Sequence, residues 1–152
     1  MKLAEALILR ADQKKRIEQL RQRLMRNAKV QEGEQPAESP DALLQEIEKI
    51  ADEFAKLIQC INRTNSTTEI MPGVSLADAI ASRDILLLRH AIHRDLAQAA
   101  TVTPDIRTKS EVRFKGTVQV SKIQENADQM SKAYRELDTK IQEMNWKIEL
   151  LG

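Results

Sequence analysis

The sequence predicts an all-α protein, and three observations support this class. Residues that favour helices dominate the chain, above all Leu, Ala, Glu, Gln, Lys and Arg. Gly and Pro, which interrupt helices, number only four each among 152 residues. Apolar residues recur over long stretches at alternating spacings of four and three, as they do along the seam of helices packed at a shallow angle. We therefore expect one domain, 1–152, folded as an elongated antiparallel four-helix bundle of coiled-coil hairpins.

The first helix is predicted over 3–28, and its apolar seam is broken in the middle. Apolar residues occupy one side of both ends, whereas Arg10, Gln13 and Lys14 take the central seam positions. Because a seam is ordinarily apolar, Arg10 is a candidate for a polar contact inside the protein. The segment 31–41 that follows is acidic and contains Pro and Gly, which predicts a loop.

The distribution of charge along the chain predicts which helices pair. Residues 1–30 carry nine Lys or Arg against three Asp or Glu, and residues 31–60 carry two against eight. Adjacent helices of opposite charge are expected to pair with each other. No basic excess then remains, because the net charge of the whole chain is only +1. We therefore expect neither nucleic acid nor a membrane surface as a partner.

The second helix is predicted over 41–65 and begins with a recognisable cap. Ser39 and Pro40 are residue types preferred at the cap and at the first helical position. The seam then alternates spacings of four and three. Asn62 and Asn65 continue a second, otherwise apolar stripe into polar residues. The end of this helix is therefore another place where polar side chains interrupt an apolar face.

The third helix is predicted over 76–100 and carries two stripes. Before it, Pro72 and Gly73 suit the central positions of a type II turn, and Ser75 with Asp78 forms a reduced capping box. The more apolar stripe consists of Ala81, Ile85, Leu88, Ile92, Leu96 and Ala99. The other stripe contains Ile80, Arg83, Leu87 and His90.

A short strand and a fourth helix are predicted for the remainder of the chain. Val112 and Phe114 alternate with charged neighbours, which predicts a strand over 111–120. This strand would pair with a second one over 67–70 as a two-stranded ribbon. The fourth helix, over 121–151, carries the longest regular alternation of apolar residues in the chain.

The second stripes of the second and third helices predict self-association. They offer more apolar surface than one neighbouring helix can cover, and long helices with narrow seams bury little surface per residue. A homo-oligomer is therefore the predicted state, with an unknown protein as a further candidate partner. The alternative is a monomeric four-helix bundle that uses both stripes internally.

In an antiparallel arrangement, the polar residues of the four helices would meet in one layer. Counting about 1.5 Å per residue places four of them roughly 5–12 Å from one end of the bundle, namely Arg10, Asn62, Arg83 and Asn145. The complete set of candidate ligand-binding residues is Arg10, Asn62, Asn65, Arg83, Asp138 and Asn145. They form either a buried polar network that fixes register and partner number, or a site for a small anion or polar ligand.

Strong signatures of catalysis and cofactor binding are absent from the sequence. It contains no phosphate-binding loop, dinucleotide fingerprint, HExxH or CxxC. His90 and His93 have a spacing that can serve a metal, but Arg89 and Arg94 flank them with positive charge. Cys60 is interpreted as a small apolar packing residue. We expect no catalytic residue, metal or cofactor, and the sequence does not indicate an enzyme.

The sequence also predicts a cytoplasmic location. Its single cysteine excludes an intrachain disulfide, which fits a reducing compartment. The apolar run over 3–9 is interrupted by Glu5 and lacks a small-residue cleavage site, so it is a poor signal peptide. No window approaches the roughly 18 apolar residues that a membrane-spanning helix requires.

Five segments of the chain carry a resemblance to a known family: KLAEALILRADQKKRIEQL, NAKVQEGEQPAE, INRTN, LADAIASRD and RELDTKIQEMNW. Together they resemble a family of small bacterial proteins of unknown function that is often labelled septicolysin. The label implies a pore-forming cytolysin. Against this implication, the chain lacks an export signal, and other helices can satisfy its narrow apolar seams.

Three functional hypotheses follow from the sequence. The first is a cytoplasmic helical bundle that acts through self-assembly or protein–protein interaction. The second is a binder of a small molecule or anion, which would use the polar layer between the helices. The third is a septicolysin-like pore-forming protein. Solvent access separates the first two, because a structural layer is sealed and internally paired, whereas a binding site opens to solvent.

Overall fold

A computed structural model describes residues 1–102 and 112–152 of the chain. Its elements are helix α1 (Leu3–Arg26), helix α2 (Pro40–Thr67), strand β1 (Glu69–Met71), strand β2 (Val74–Ser75), helix α3 (Leu76–Ala100) and helix α4 (Val120–Lys147). The predicted all-α class with a small two-stranded ribbon is confirmed. None of the helices within residues 1–102 and 112–152 combines the length and the hydropathy of a membrane-spanning segment.

The described chain divides into two compact units. The first unit contains residues 1–68 and 142–152, and the second contains residues 69–141. Helix α4 contributes residues to both units. The assignment of a single domain stays a prediction.

In the first unit, α1 and α2 form an antiparallel pair with a charged exterior. Five large apolar side chains are buried in these two helices, namely Leu3, Leu20, Leu43, Leu57 and Ile61. Arg16 donates a 2.8 Å hydrogen bond to Glu46, and Arg23 donates from two nitrogens to the carboxylate of Glu38. These contacts join the basic first helix to the acidic segment after it, as the charge distribution predicts.

The caps of α1 and α2 explain where these helices meet the loop. Ser39 Oγ accepts from the Ala42 backbone N–H at 3.3 Å, and Pro40 occupies the first helical position. Helix α1 ends at Arg26, two residues before its predicted end. Asn27 caps it by donating from Nδ2 to the Arg23 carbonyl at 2.8 Å.

The second unit begins with the ribbon, whose strands differ from those predicted. The partner of β1 is β2, with Glu69 opposite Ser75 and Met71 opposite Val74. The strand predicted over 111–120 is wrong, because residues 112–119 form no strand and residue 120 begins α4; residue 111 lies outside the described residues. A two-residue turn pairs neighbouring segments at a lower entropic cost than closing a loop of some forty residues.

The turn and cap residues before α3 act as the sequence predicts. Gly73 has a φ of 77°, a left-handed conformation that glycine adopts without steric cost. Ser75 Oγ accepts from the Asp78 backbone N–H at 3.1 Å, which caps α3. The ribbon therefore leads directly into the helix.

Within the second unit, α3 runs antiparallel to the part of α4 that belongs to the unit. Arg83 contacts Asp138 at one level, and His90 contacts the backbone carbonyl of Ala127 at another. The residue numbers rise along α3 as they fall along α4, which defines the antiparallel direction. The side of α3 that carries Arg83 and His90 therefore faces α4.

Candidate functional site

The six residues predicted to form a polar layer are divided between the two units. Arg10, Asn62, Asn65 and Asn145 belong to the first unit, and Arg83 and Asp138 belong to the second. Within the first unit, Asn145 is buried and Asn65 is half-buried, whereas Arg10 and Asn62 are exposed. Arg10 makes no ion pair within the described first unit. The use of these six residues as one site stays a prediction.

Arg83 and Asp138 are brought together in the second unit. Arg83 Nη1 lies 2.9 Å from Asp138 Oδ1, and Arg83 Nε and Nη2 each lie 3.1 Å from Asp84 Oδ1. Partial burial acts to lower the pKa of Arg83, but hydrogen bonds and charge from Asp138 and Asp84 outweigh it and raise the pKa. The guanidinium is thus ionised and shared by two carboxylates.

Asn145 has a different environment. Its side chain is 5% exposed, and its Oδ1 atom has no hydrogen-bond partner among the described residues. An amide oxygen is an acceptor, so it would take a hydrogen-bond donor and would repel an anion. Asn145 therefore gives no support to an anion site.

The polar residues at the end of α2 have partners that the sequence analysis missed. Thr64 is fully buried, and its Oγ1 donates to the Cys60 carbonyl at 2.8 Å and accepts from the Leu151 backbone N–H at 3.0 Å. Arg63 donates from Nη1 to the Gly152 carbonyl. The signal that could have indicated these contacts was Thr64, a small hydroxyl residue at a position of the α2 seam that is ordinarily apolar. Thr64 and Arg63 therefore form hydrogen bonds with the backbone of the segment that follows α4.

The same segment pairs with the N-terminal residues of the chain. The Leu3 N–H donates to the Ile148 carbonyl at 2.9 Å, and the Leu150 N–H donates to the Met1 carbonyl at 2.8 Å. This pairing explains why α4 ends at Lys147 and not at residue 151 as predicted, since the backbone of the last residues is engaged elsewhere. We call residues 1–3 and 148–152, with Arg63 and Thr64, the terminal clasp.

An exposed carboxylate completes the terminal clasp. Glu149 lies 2.5 Å from Lys2 Nζ and 3.1 Å from the N-terminal ammonium. The hydrogen bond from Lys2, followed by that from the N-terminal ammonium, lowers the pKa of Glu149. Glu149 is thus paired with two cations of the terminal clasp.

The most apolar stripe of α3 is exposed. Ile85, Leu88, Ile92 and Leu96, which we call the α3 apolar face, have exposed fractions of 45%, 55%, 55% and 40%. At 3.6 residues per turn, these positions lie on the opposite side of the helix from Arg83 and His90, which contact α4. Soluble proteins rarely leave several large aliphatic side chains in adjacent turns uncovered. This face is the strongest candidate functional surface of the second unit.

The α3 apolar face continues into a cleft at the end of the helix. The cleft has a volume of about 440 Å³ and is lined by Leu96, Ala99, Ala100, Thr101, Val102, Phe114, Lys115, Gly116 and Thr117. Phe114 is 83% exposed. A Cβ atom at Gly116 would lie 2.8 Å from the Ala100 carbonyl oxygen, so glycine permits this close approach. The approach brings Phe114 beside the last residues of the face.

Both histidine rings form hydrogen bonds with backbone carbonyl oxygens. His90 Nδ1 lies 2.9 Å from the Ala127 carbonyl oxygen, and His93 Nδ1 lies 2.8 Å from that of Arg89. Because a carbonyl only accepts, each ring donates through Nδ1. No group of three or more candidate metal-ligating side chains occurs among the residues that the structure describes.

Comparison with known proteins identifies relatives without assigning an activity. The model of a family described as Family of unknown function (DUF6847) matches residues 10–150. A solved structure, described as a functionally unknown conserved protein from Corynebacterium diphtheriae, is 43% identical in sequence, with a TM-score of 0.93 and 99% of each chain covered. No curated protein matches the sequence. The family of unknown function is supported, whereas the septicolysin label receives no support.

Proposed function

The chain belongs to DUF6847, a family of unknown function, and we propose that it is an assembly protein whose copies associate through the α3 apolar face. The observation that carries this proposal is the exposure of Ile85, Leu88, Ile92 and Leu96 on the side of α3 away from α4. Helix-in-groove and helix-to-helix recognition both use apolar anchors at this spacing. The proposed activity is binding and requires no reaction.

The energetics of the face set the strength of the association. Burying the exposed halves of four aliphatic side chains contributes on the order of 4 kcal/mol per copy. Two copies would thus gain about 8 kcal/mol, which is comparable to the cost of about 4–15 kcal/mol for bringing two molecules together. The face alone supports a weak complex. The neighbouring Phe114 and Val102, which are also exposed, would extend the contact.

The alternative of an anion site in the polar layer has weaker support. Two carboxylates already engage Arg83, the best-placed cation of the predicted layer. The buried atom of Asn145 without a partner is an acceptor. Neither observation provides the group that an anion needs. Arg83 is better explained as a structural element of the contact between α3 and α4.

The proposal is tested by measuring the mass of the protein in solution with a matched pair of variants. Leu88→Glu places a charge in the α3 apolar face, whereas Leu87→Glu places the same charge in the stripe of α3 that faces α4, at similar exposure, 49% against 55%. We expect sedimentation velocity to show an oligomer for the unmodified protein at about 100 µM, a concentration suited to a weak complex. We expect Leu88→Glu to be monomeric and Leu87→Glu to remain associated.

Two outcomes would contradict the proposal. One is a monomeric unmodified protein at that concentration. The other is an oligomer that both variants leave intact, since a charge within the contact cannot be accommodated without loss of affinity. Circular dichroism of each variant would establish that its helices are formed.

A further inference from the structure

We infer that the α3 apolar face pairs with the same face of a second copy, with the two α3 helices parallel and in register. This inference rests on the proposed function and adds the identity, direction and alignment of the contacting helices. Two features carry it. They are the order of residues in the seam and the charges on its two flanks.

The seam has the residue order typical of parallel two-stranded coiled coils. Ile85, Leu88 and Ile92 are separated by three and four residues and therefore occupy successive a, d and a positions. The seam ends before Asp95, which takes the next d position, and Leu96 takes the flanking position e. A β-branched residue at position a with leucine at position d favours a parallel coiled coil of two helices. All three side chains are about half exposed, so none is needed to fill the interior of its own chain.

The flanks of the seam carry opposite charges at the matching positions. Asp84 directly precedes Ile85 and takes position g, and Arg89 directly follows Leu88 and takes position e. In a parallel pair, position g of one helix lies beside position e of the other, and the ion pairs formed there set orientation and partner. Asp84 of each copy would thus meet Arg89 of the other. The twofold symmetry of the dimer produces this ion pair twice.

Both groups are available for such a contact. Asp84 is exposed, and its contacts with Arg83 use only Oδ1, which leaves Oδ2 for a further donor. Arg89 is exposed, and its guanidinium makes no ion pair within the parts of the chain that are described, 1–102 and 112–152. Its backbone carbonyl contacts His93 and does not restrain the charged group.

An antiparallel pair would place like flanks together. Position e would then lie beside position e of the second copy, and position g beside position g. Arg89 would then lie on the same flank as Arg89 of the second copy, and Asp84 on the same flank as Asp84 of the second copy. Each flank would carry like charges. Ion pairs of this exposed kind contribute little affinity, but they discriminate between orientations. The pair of Asp84 and Arg89 therefore favours the parallel arrangement.

The inference is tested by disulfide cross-linking of single-cysteine variants. Ile85→Cys, Leu88→Cys and Ile92→Cys are each made in a Cys60→Ser background and equilibrated in a glutathione redox buffer, so that only stable pairs accumulate. In a parallel pair in register, each seam residue faces its own counterpart, and we expect all three variants to form covalent dimers. Leu87→Cys, on another side of the helix, serves as the control and should not cross-link.

The pattern separates failure of the inference from failure of the proposed function. Cross-linking at one position only would show an antiparallel pair, in which identical residues meet only near the centre, and would overturn the inference. Cross-linking at none of the three would also overturn it. In either case, the proposed function would stand if the protein formed an oligomer that Leu88→Glu dissociates. A monomeric unmodified protein would contradict both the proposed function and the inference of a parallel pair.

A charge exchange provides a second test that needs no cysteine in the seam. Arg89→Asp places two acidic residues together at both symmetric contacts, and we expect the dimer Kd to rise roughly tenfold. Adding Asp84→Lys to the same chain recreates both ion pairs with reversed sign and should restore the Kd. Asp84→Lys also removes one partner of Arg83, which keeps its contact with Asp138, so the stability of each variant is measured beside its Kd. A double variant as stable as the unmodified protein but as weakly associated as the single one would contradict the proposed register.

Discussion

The end of α2 and the α3 apolar face are two places where the chain departs from a helix buried along one apolar side. At the end of α2, polar residues occupy the seam, and Thr64 and Arg63 bind the backbone of residues 151 and 152. On α3, apolar residues occupy a regular stripe, yet four of them remain exposed. The polar anomaly is thus explained within the chain, whereas the apolar anomaly is not. This difference makes the apolar face the better guide to function.

The largest expected contrast between these regions concerns packing. Ile61 is fully buried near the terminal clasp, whereas Ile92 is 55% exposed on the α3 apolar face. We expect Ile61→Ala to lower the free energy of unfolding by about 2–5 kcal/mol, because it removes buried methyl groups and leaves a cavity. Ile92→Ala should change it by about 0.5 kcal/mol or less.

Urea denaturation at low protein concentration would measure both values without a contribution from association. The two variants remove the same atoms from a helix. The difference between their losses in the free energy of unfolding therefore reports the effect of burial. Equal losses of stability would show that Ile92 is packed inside the folded chain, and the α3 apolar face would lose its status as a free surface. A large loss of stability for Ile61→Ala alone would show that Ile61 is packed in the interior, whereas Ile92 is part of a free surface.

The second contrast concerns the buried hydroxyl of the terminal clasp. Thr64→Val keeps the shape of the side chain but removes the acceptor of the Leu151 N–H, and we expect a loss of about 1–2 kcal/mol in the free energy of unfolding. Thr67→Val is the matched control. Thr67 also donates to a carbonyl four residues earlier, but it is exposed.

Hydrogen exchange provides the specific readout for this variant. The Leu151 amide should exchange faster in Thr64→Val than in the unmodified protein, because its acceptor is gone. In Thr67→Val the exchange of this amide should be unchanged. If both variants lost the same stability and left the Leu151 amide protected, Thr64 would act only as a helix residue and not as a part of the terminal clasp.

Local signals in the sequence were sufficient to predict the four helices and the N-terminal caps of α2 and α3. Ser39, Ser75 and Gly73 act as predicted, because caps and turns depend on residues a few positions apart. The partner of β1 and the end of α4 were missed. Leaving the helix after Lys147 depends on backbone bonds to the first residues of the chain, which no local pattern indicates.

The candidate site was predicted less completely, for a related reason. Counting along antiparallel helices at about 1.5 Å per residue places Arg83 and Asp138 near the same end of the bundle but does not give their ion pair, which depends on how the two helices are aligned along their axes. The direction in which each α3 stripe faces does not follow. Both stripes have helical spacing, and the less apolar one faces α4 because Arg83 and His90 find hydrogen-bond partners there. Apolarity alone therefore does not predict which stripe is covered.

The smallest expected effect concerns the exposed carboxylate of the terminal clasp, and it depends on pH. The bonds from Lys2 and the N-terminal ammonium hold the pKa of Glu149 below its ordinary value of 4.5. A carboxylate whose pKa is lower in the folded state stabilises the fold above its unfolded pKa, and this contribution is lost as the pH falls through the folded pKa. We therefore expect Glu149→Gln to lower the Tm slightly at pH 7, and the difference from the unmodified protein to shrink below about pH 4.5.

Thermal unfolding across this pH range would measure the difference, with Glu143→Gln as the control for charge on α4. Glu143 is also exposed and lies 3.9 Å from Lys147, without a contact to the N-terminal residues among those described. A Tm difference for Glu149→Gln that persisted unchanged at low pH could not arise from ionisation, because the carboxyl would then be protonated in both states. Such a result would assign the role of Glu149 to packing and would weaken the view that the terminal clasp is held by polar contacts, in contrast to the α3 apolar face.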